Sequence, residues 1–137
     1  MSTARATYTV LQATGPAVQA RLLVDPLTFS PRYDLDRVQG SFSRAGHPIR
    51  GETLAGRVLA SPGVQGGVAG GWAFLAMAGA GVGPVALVFG ETNPVMVQGA
   101  VTAGIPIVAG IDRSFFAAAS TGAEVRISPA DKTVQIM

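Results

Sequence analysis

Hydrophobic and polar positions alternate in two stretches of the chain and run together in three others. In residues 17–24, Val18, Ala20, Leu22 and Val24 alternate with Gln19, Arg21 and Leu23, which predicts a strand with one buried face, closed by Asp25-Pro26. Residues 123–127 alternate again, Ser128-Pro129-Ala130-Asp131 turns the chain, and residues 133–137 alternate once more, the pattern of a hairpin. Between them lie three continuous apolar runs, at Arg57-Val58-Leu59-Ala60, at residues 85–89 and at residues 105–109. The first is fit for a strand, residues 85–89 have the length of a strand covered on both faces, and residues 105–109 return as another buried strand. Helices separate the runs. Residues 72–80 are rich in Ala, Leu and Met, lack β-branched side chains and should form a short helix ending at Gly79 or Gly81. Asn93 is placed as an N-cap with Pro94 at the first helical position, predicting a helix to about Ala103 that Gly104 closes.

Strand, helix, strand, helix, strand in this central region predicts a small parallel sheet with crossovers, its loops emerging on one side, and the class is mixed α/β. Residues 28–50 are rich in Pro, Asp, Ser, Arg and Gly, with Ser30-Pro31 and His47-Pro48 as breakers, and read as long loops with short strands. Residues 1–16 read as a leader or edge strand ahead of one domain spanning 17–137. With 137 residues and a mean hydropathy of +0.39, the chain can bury a single core and has little room for two.

Composition narrows the function classes. Charged residues make up only 13% of the chain, about half the usual share, so much of the surface is apolar or small and suits contact with a partner. The net charge of +2 comes from scattered arginines and the single lysine Lys132, with no basic run and 7% aromatics, which argues against nucleic-acid binding. The chain has no cysteine, so disulfides, a thiol nucleophile and cysteine ligation of an iron–sulfur cluster by this chain are excluded. The apolar stretches are cut by Gly and Pro before they could span a bilayer, and the N-terminus lacks a signal-peptide core; the expected location is the cytoplasm, away from the membrane.

The segment GETLAGRVLASPGVQGGVAGGW, residues 51–72, concentrates the candidate chemistry. A strand stopped by Ser61-Pro62, a glycine loop over residues 63–71 and a helix start form a recurring anion site, because glycine lets backbone N–H groups approach a ligand and the helix N-terminus favours negative charge. Nucleotide motifs do not fit: Gly71 is followed by Trp72 and Ala73, not by the Lys-Ser/Thr of a P-loop, and Gly66 to Gly71 do not match G-x-G-x-x-G. His47, the one histidine, invites a role as general base or metal ligand, but neither a second histidine nor a carboxylate at helical spacing accompanies it, and beside proline it reads as a turn residue.

The strings GHPIRGETLAGRVLASPGVQGG and GPVALVFGETNPVMVQGAVTAGIPIV resemble the small subunit of the aconitase-X family. The resemblance covers roughly residues 17–137: a G-x-P-x-x-G-E turn into a strand, a strand ending in Pro before the glycine loop, a G-x-P strand, an acidic-x-x-hydrophobic stretch and a closing G-I-P-x-V. It implies a swivelling β/β/α domain similar to the fourth domain of aconitase. It also implies a large catalytic subunit as partner, and a hydro-lyase reaction that removes water from a small anionic hydroxy acid such as cis-3-hydroxy-L-proline or a phosphorylated mevalonate. Iron, alone or as an iron–sulfur cluster, would sit on the large subunit, with no cofactor on this chain and no metal ligand in it.

One position departs from the family pattern. The family loop reads P-x-x-x-G-S, with the serine as proton acceptor; aligning Pro62 and Gly66 puts glycine, Gly67, in its place, and Gly71 stands where a second serine is often seen. The resemblance then assigns Gly66, Gly67, Gly70 and Gly71 to substrate binding through backbone groups and leaves no certain catalytic residue, Ser61 being a weak substitute at the strand end. General-base help is worth about 10²- to 10⁴-fold, so the family transfers more readily than the activity. The alternative is a non-catalytic scaffold, or a small-anion-binding module that self-associates when alone.

Overall fold

A computed structural model of the chain describes residues 6–65 and 68–137. In chain order the elements are β1 (Ala6–Thr9), β2 (Gln12–Thr14), β3 (Val18–Val24), the one-turn helix α1 (Pro31–Asp34), the short strands β4 (Leu35–Asp36) and β5 (Ser41–Phe42), β6 (Arg57–Ser61), α2 (Val68–Ala80), β7 (Ala86–Phe89), α3 (Pro94–Thr102), β8 (Ile107–Ala109), α4 (Ser114–Ala118), β9 (Glu124–Ser128) and β10 (Thr133–Ile136). A 3-10 turn, Pro129–Asp131, joins the last two strands.

Eight strands form one sheet in the order β1-β10-β9-β3-β6-β7-β8-β2. β3, β6, β7 and β8 are parallel neighbours, as the two strand–helix crossovers demand, and the C-terminal hairpin β9–β10 joins antiparallel to β3. β1 and β2 occupy opposite ends of this order, yet only Val10 and Leu11 separate them. The three Cα steps from Thr9 to Gln12 reach at most about 11 Å, so the sheet must curl until its ends meet. The hydrogen bonds mark the seam: Val10 N–H donates to Lys132 O at 3.0 Å on the β10 side, and Leu11 N–H to Ala109 O at 3.0 Å on the β8 side.

Curling sorts alternate residues of the central strands into two cores. Leu22, Val58, Ala60, Ala86, Val88 and Val108 turn inward with Val125, Ile127, Val134 and Phe115 of α4. Leu23, Leu59, Leu87, Phe89 and Ile107 turn outward beneath Phe74 and Met77 of α2, Met96 and Ala100 of α3, and the segment carrying Phe29, Phe42 and Leu54. The expected single buried face of β3 is thereby corrected: Leu22 and Leu23 are both fully buried, because the end of β3 lies mid-sheet with a layer on each side.

Most predicted boundaries hold within one or two residues. Asn93 caps α3, its Oδ1 accepting the Met96 N–H at 2.9 Å. The helix expected at residues 72–80 instead begins at Val68, so Gly70 and Gly71 lie inside its first turn and not in the loop before it. Each glycine costs a helix about 1 kcal/mol relative to alanine. Burying Ala73, Phe74 and Met77 against the sheet outweighs that cost. Among the described residues no helix is long and apolar enough to cross a membrane.

Candidate functional site: the loops at the ends of the parallel strands

Four parallel strands end on the same side of the sheet, so the segments after Val24, Ser61, Phe89 and Ala109 come together there, the usual ligand side of such a sheet. They are tied edge to edge. Gly90 N–H donates to Ser61 O at 3.1 Å, Glu91 N–H to Pro62 O at 3.0 Å, and Gly110 N–H to Gly90 O at 3.1 Å.

Phe29 anchors the loop that follows β6. Its N–H donates to Gly63 O at 2.9 Å, its carbonyl accepts the Gln65 N–H at 2.7 Å, and the two segments run parallel with Phe29 paired to Val64. The ring is fully buried among Phe42, Phe74 and Phe89, with centroids 5.8, 6.1 and 6.4 Å away. An aromatic core thus fixes the path of residues 63–65 toward the glycines.

The sequence-predicted site residues fall into three groups. Gly66 and Gly67 lie outside the described residues. Gly70 and Gly71 belong to the first turn of α2, where helix N–H groups lack intrahelical acceptors. Ser61 is fully buried, its Oγ 2.8 Å from Leu27 O and 2.7 Å from Gly63 O, with Gly63 N–H 3.4 Å away. A hydroxyl so placed donates to either carbonyl and ties three segments together; it does not face an open site.

His47 is where spacing misled. It is buried, and the fold brings to it Asp25 from the end of β3 and Asp34 from the end of α1, both fully buried. Nε2 of His47 lies 3.5 Å from Asp25 Oδ1 and 3.8 Å from Asp34 Oδ2, and Arg44 Nε lies 3.2 Å from Asp34 Oδ1. The ring packs on Phe42 at 5.0 Å. Burial holds the Asp25 carboxyl above its ordinary value of 3.8, Asp34 adding to the effect, while the Leu27 N–H bond and, after it, the neighbouring His47 and Arg44 side chains oppose it. Neither carboxylate stands at helical spacing from His47, so only the loops' tertiary path reveals the cluster.

Four similarities to known proteins bear on this arrangement. A sequence model of the aconitase X swivel domain matches residues 7–136. The phosphomevalonate dehydratase small subunit of Thermococcus gammatolerans is 32% identical over 123 residues, covering 90% of this chain and 92% of that protein. The same-named subunit of Methanopyrus kandleri is 33% identical over 115 residues, covering 84% and 85%. The crystal structure of Thermococcus kodakaraensis aconitase X in its holo-form superposes with a TM-score of 0.88 at 26% identity, over 96% of this chain and 98% of that one. The curled sheet with its helical layer is therefore the swivelling mixed α/β fold that the sequence motifs imply. With the match running from within β1 to the last residue of β10, the chain belongs to the aconitase X swivel domain family.

Proposed function

We propose that this chain is the small subunit of an aconitase-X-like hydro-lyase, closing the active site of a large subunit that dehydrates a small anionic hydroxy acid. The observation that carries the reading is the anchored loop. Residues 62–65, immediately before Gly66 and Gly67 in the sequence, are bonded on one side to the Phe29 segment and on the other to Glu91, at the ligand side of the sheet. The phosphomevalonate dehydratase small subunits support the reaction class, being named as subunits of a dehydratase. A large aconitase-X-like partner follows from that reading. Its docking surface would draw on exposed apolar side chains such as Trp72, Tyr33 and Val38.

In this role the chain supplies binding and closure. Backbone N–H groups of Gly66, Gly67, Gly70 and Gly71, with the α2 dipole behind them, would face the anionic group of the substrate. An iron–sulfur cluster would be held by the large subunit, since this chain has no cysteine to ligate one, and iron alone is placed there by the family resemblance. A side-chain hydroxyl at position 67 is absent, and Ser61 is held by two carbonyls, which favours a proton acceptor from the partner or from water over Ser61.

The test is Gly67→Ser in the complex co-expressed with its large subunit, assayed on cis-3-hydroxy-L-proline, phosphorylated mevalonate and related hydroxy acids. A gain of ten-fold or more, about 1.4 kcal/mol of barrier, is expected if the rest of the site is intact. No gain on any substrate from a co-eluting complex would assign the chain the scaffold role. Failure to co-elute would remove the subunit reading itself.

A further inference from the structure

The cluster of Asp25, Asp34 and His47 has no part in the reading above, and its donor types invite a metal ion. One ligand atom from each residue lies within 4.8 Å of the others, all three residues are buried, and among the described residues Asp25 Oδ2, Asp34 Oδ1 and His47 Nε2 have no hydrogen-bond partner, Asp34 Oδ1 having only its ion pair with Arg44. Ligand chemistry decides against a cation. Nδ1 of His47 accepts the Ile49 N–H at 3.2 Å, so its lone pair is engaged there and the neutral ring carries its proton on Nε2. A metal-bound histidine has the reverse arrangement, with a lone pair on the ligating nitrogen and an N–H on the other that meets an acceptor. What faces the two carboxylates is therefore a proton. The separations of 3.5 and 3.8 Å are longer than a direct hydrogen bond, yet between fully buried side chains the attraction between an N–H dipole and a carboxylate stays stronger than in bulk solvent.

The same residues hold the backbone that carries the glycine loop. Asp25 Oδ1 accepts the Leu27 N–H at 2.9 Å, and Leu27 O in turn accepts from Ser61 Oγ. Asp34 Oδ2 accepts the Ser30 N–H at 2.9 Å. Leu27 and Ser30 flank Phe29, the residue bonded to Gly63 and Gln65. We propose that Asp25, Asp34 and His47 form a proton-bridged clamp, built on the His47 Nε2–H between the two carboxylates, that positions residues 63–65 and so the entrance to the glycine loop. They are positioning residues, too buried to touch a ligand. The consequence for substrate rests on the function proposed above; the clamp does not.

Because His47 is the one histidine, its ring nitrogens can be read without assignment ambiguity in a ¹⁵N-labelled chain. The expected spectrum at pH 7 is the Nε2–H tautomer, unchanged by a chelator and by an equivalent of Zn²⁺ or Fe²⁺ alone. An Nδ1–H tautomer, a doubly protonated ring, or a shift of Nε2 with one equivalent of metal would overturn the clamp, the last in favour of a metal site. Amide hydrogen exchange supplies the second arm. His47→Leu should speed exchange at Phe29 and Gln65 at least ten-fold while Ile127 and Val134 in the hairpin keep wild-type protection. His47→Gln, which places an N–H donor near the position of Nε2, should restore those two amides to within three-fold. Equal acceleration at all four amides, or no acceleration at Phe29 and Gln65, would reduce the cluster to ordinary core. Should His47→Leu fail to fold, the tautomer and the His47→Gln exchange decide alone, and unprotected Phe29 and Gln65 amides in a folded His47→Gln chain would overturn the proposal.

Discussion

Gly90→Ala should destabilise the fold by pulling apart two loops of the candidate site. An alanine Cβ at Gly90 would lie 2.5 Å from the Pro62 carbonyl oxygen and 3.3 Å from its carbon, and the atoms met are backbone, which cannot rotate away. Relief requires a shift of at least half an ångström, at the point where Gly90 N–H bonds Ser61 O and Glu91 N–H bonds Pro62 O. Overpacking of this kind costs about 1–3 kcal/mol, and weakening one of the two hydrogen bonds adds about 1. Restricting the unfolded chain returns about 0.4–1 kcal/mol. The net loss is then about 1–3 kcal/mol, or roughly 3–10 °C in Tm for a chain of this length.

Gly79→Ala is the matched control. Gly79 is exposed near the end of α2, and a Cβ there meets nothing within 4 Å. The same chemical change should therefore stabilise, by up to about 1 kcal/mol from helix propensity. Urea unfolding of both variants, with midpoints compared at constant slope, measures the pair. A Gly90→Ala protein as stable as wild type would refute the close approach of the two loops. A destabilised Gly79→Ala would refute the position of α2.

Phe29→Ala should cost about 3–5 kcal/mol, since a fully buried ring is lost from among three others; urea unfolding reads it, and a loss below 1 kcal/mol would contradict the aromatic anchor. Ser61→Ala should cost about 1–3 kcal/mol by leaving Leu27 O short of its donor, and in the assembled complex should change turnover less than ten-fold; a greater loss with stability unchanged would make Ser61 the base. Asp25→Asn should gain stability relative to wild type as pH rises above 3.8. The folded carboxyl, raised mainly by burial, binds its proton more tightly than the unfolded one, so wild type loses stability as pH climbs through the folded value while asparagine does not titrate. Paired melts from pH 3.5 to 8 check it, and a pH-independent difference would contradict the burial.

The strands were legible because their signal is local. Runs such as Val58-Leu59-Ala60 and Ala86-Leu87-Val88-Phe89 need only a count of consecutive apolar residues, and Asn93-Pro94 carries its capping chemistry in two letters. Closure of the sheet was not legible: it depends on Val10 and Leu11 bonding strands more than 95 residues away in sequence. The start of α2 was misplaced because glycine propensity argued for a loop, and tertiary burial of Phe74 and Met77 overrode it. His47 was misread for a related reason. Helical spacing is the only local rule for a polar cluster, and Asp25, Asp34 and His47 stand nine and thirteen residues apart on three different segments. Of the candidate site, the strand and its stop at Ser61-Pro62 could be read from sequence, whereas the end of the loop and the Phe29 anchor could not, since nothing local links a phenylalanine after Asp25-Pro26 to a loop that begins more than thirty residues later.

Holding a loop and reacting through it are separate physical tasks, and on the function proposed above this chain would separate them by residue. The path of residues 62–65 is set by backbone bonds to Phe29 and Glu91 and by a buried aromatic cluster, none of which involves the side chain at position 67. The proton acceptor implied by the family resemblance is one hydroxyl, and glycine at that position removes it while leaving every described contact of the loop in place. On the proposed function, loss of the base would therefore not imply loss of the pocket wall: N–H groups bind an anion whatever the side chain. Perturbing the anchor and restoring the hydroxyl should consequently act on different kinetic constants. A weakened anchor, as in Gly90→Ala, should raise KM through a displaced wall, whereas Gly67→Ser should raise kcat at nearly constant KM. If both substitutions moved the same constant, the loop would not be dividing its work between backbone and side chain.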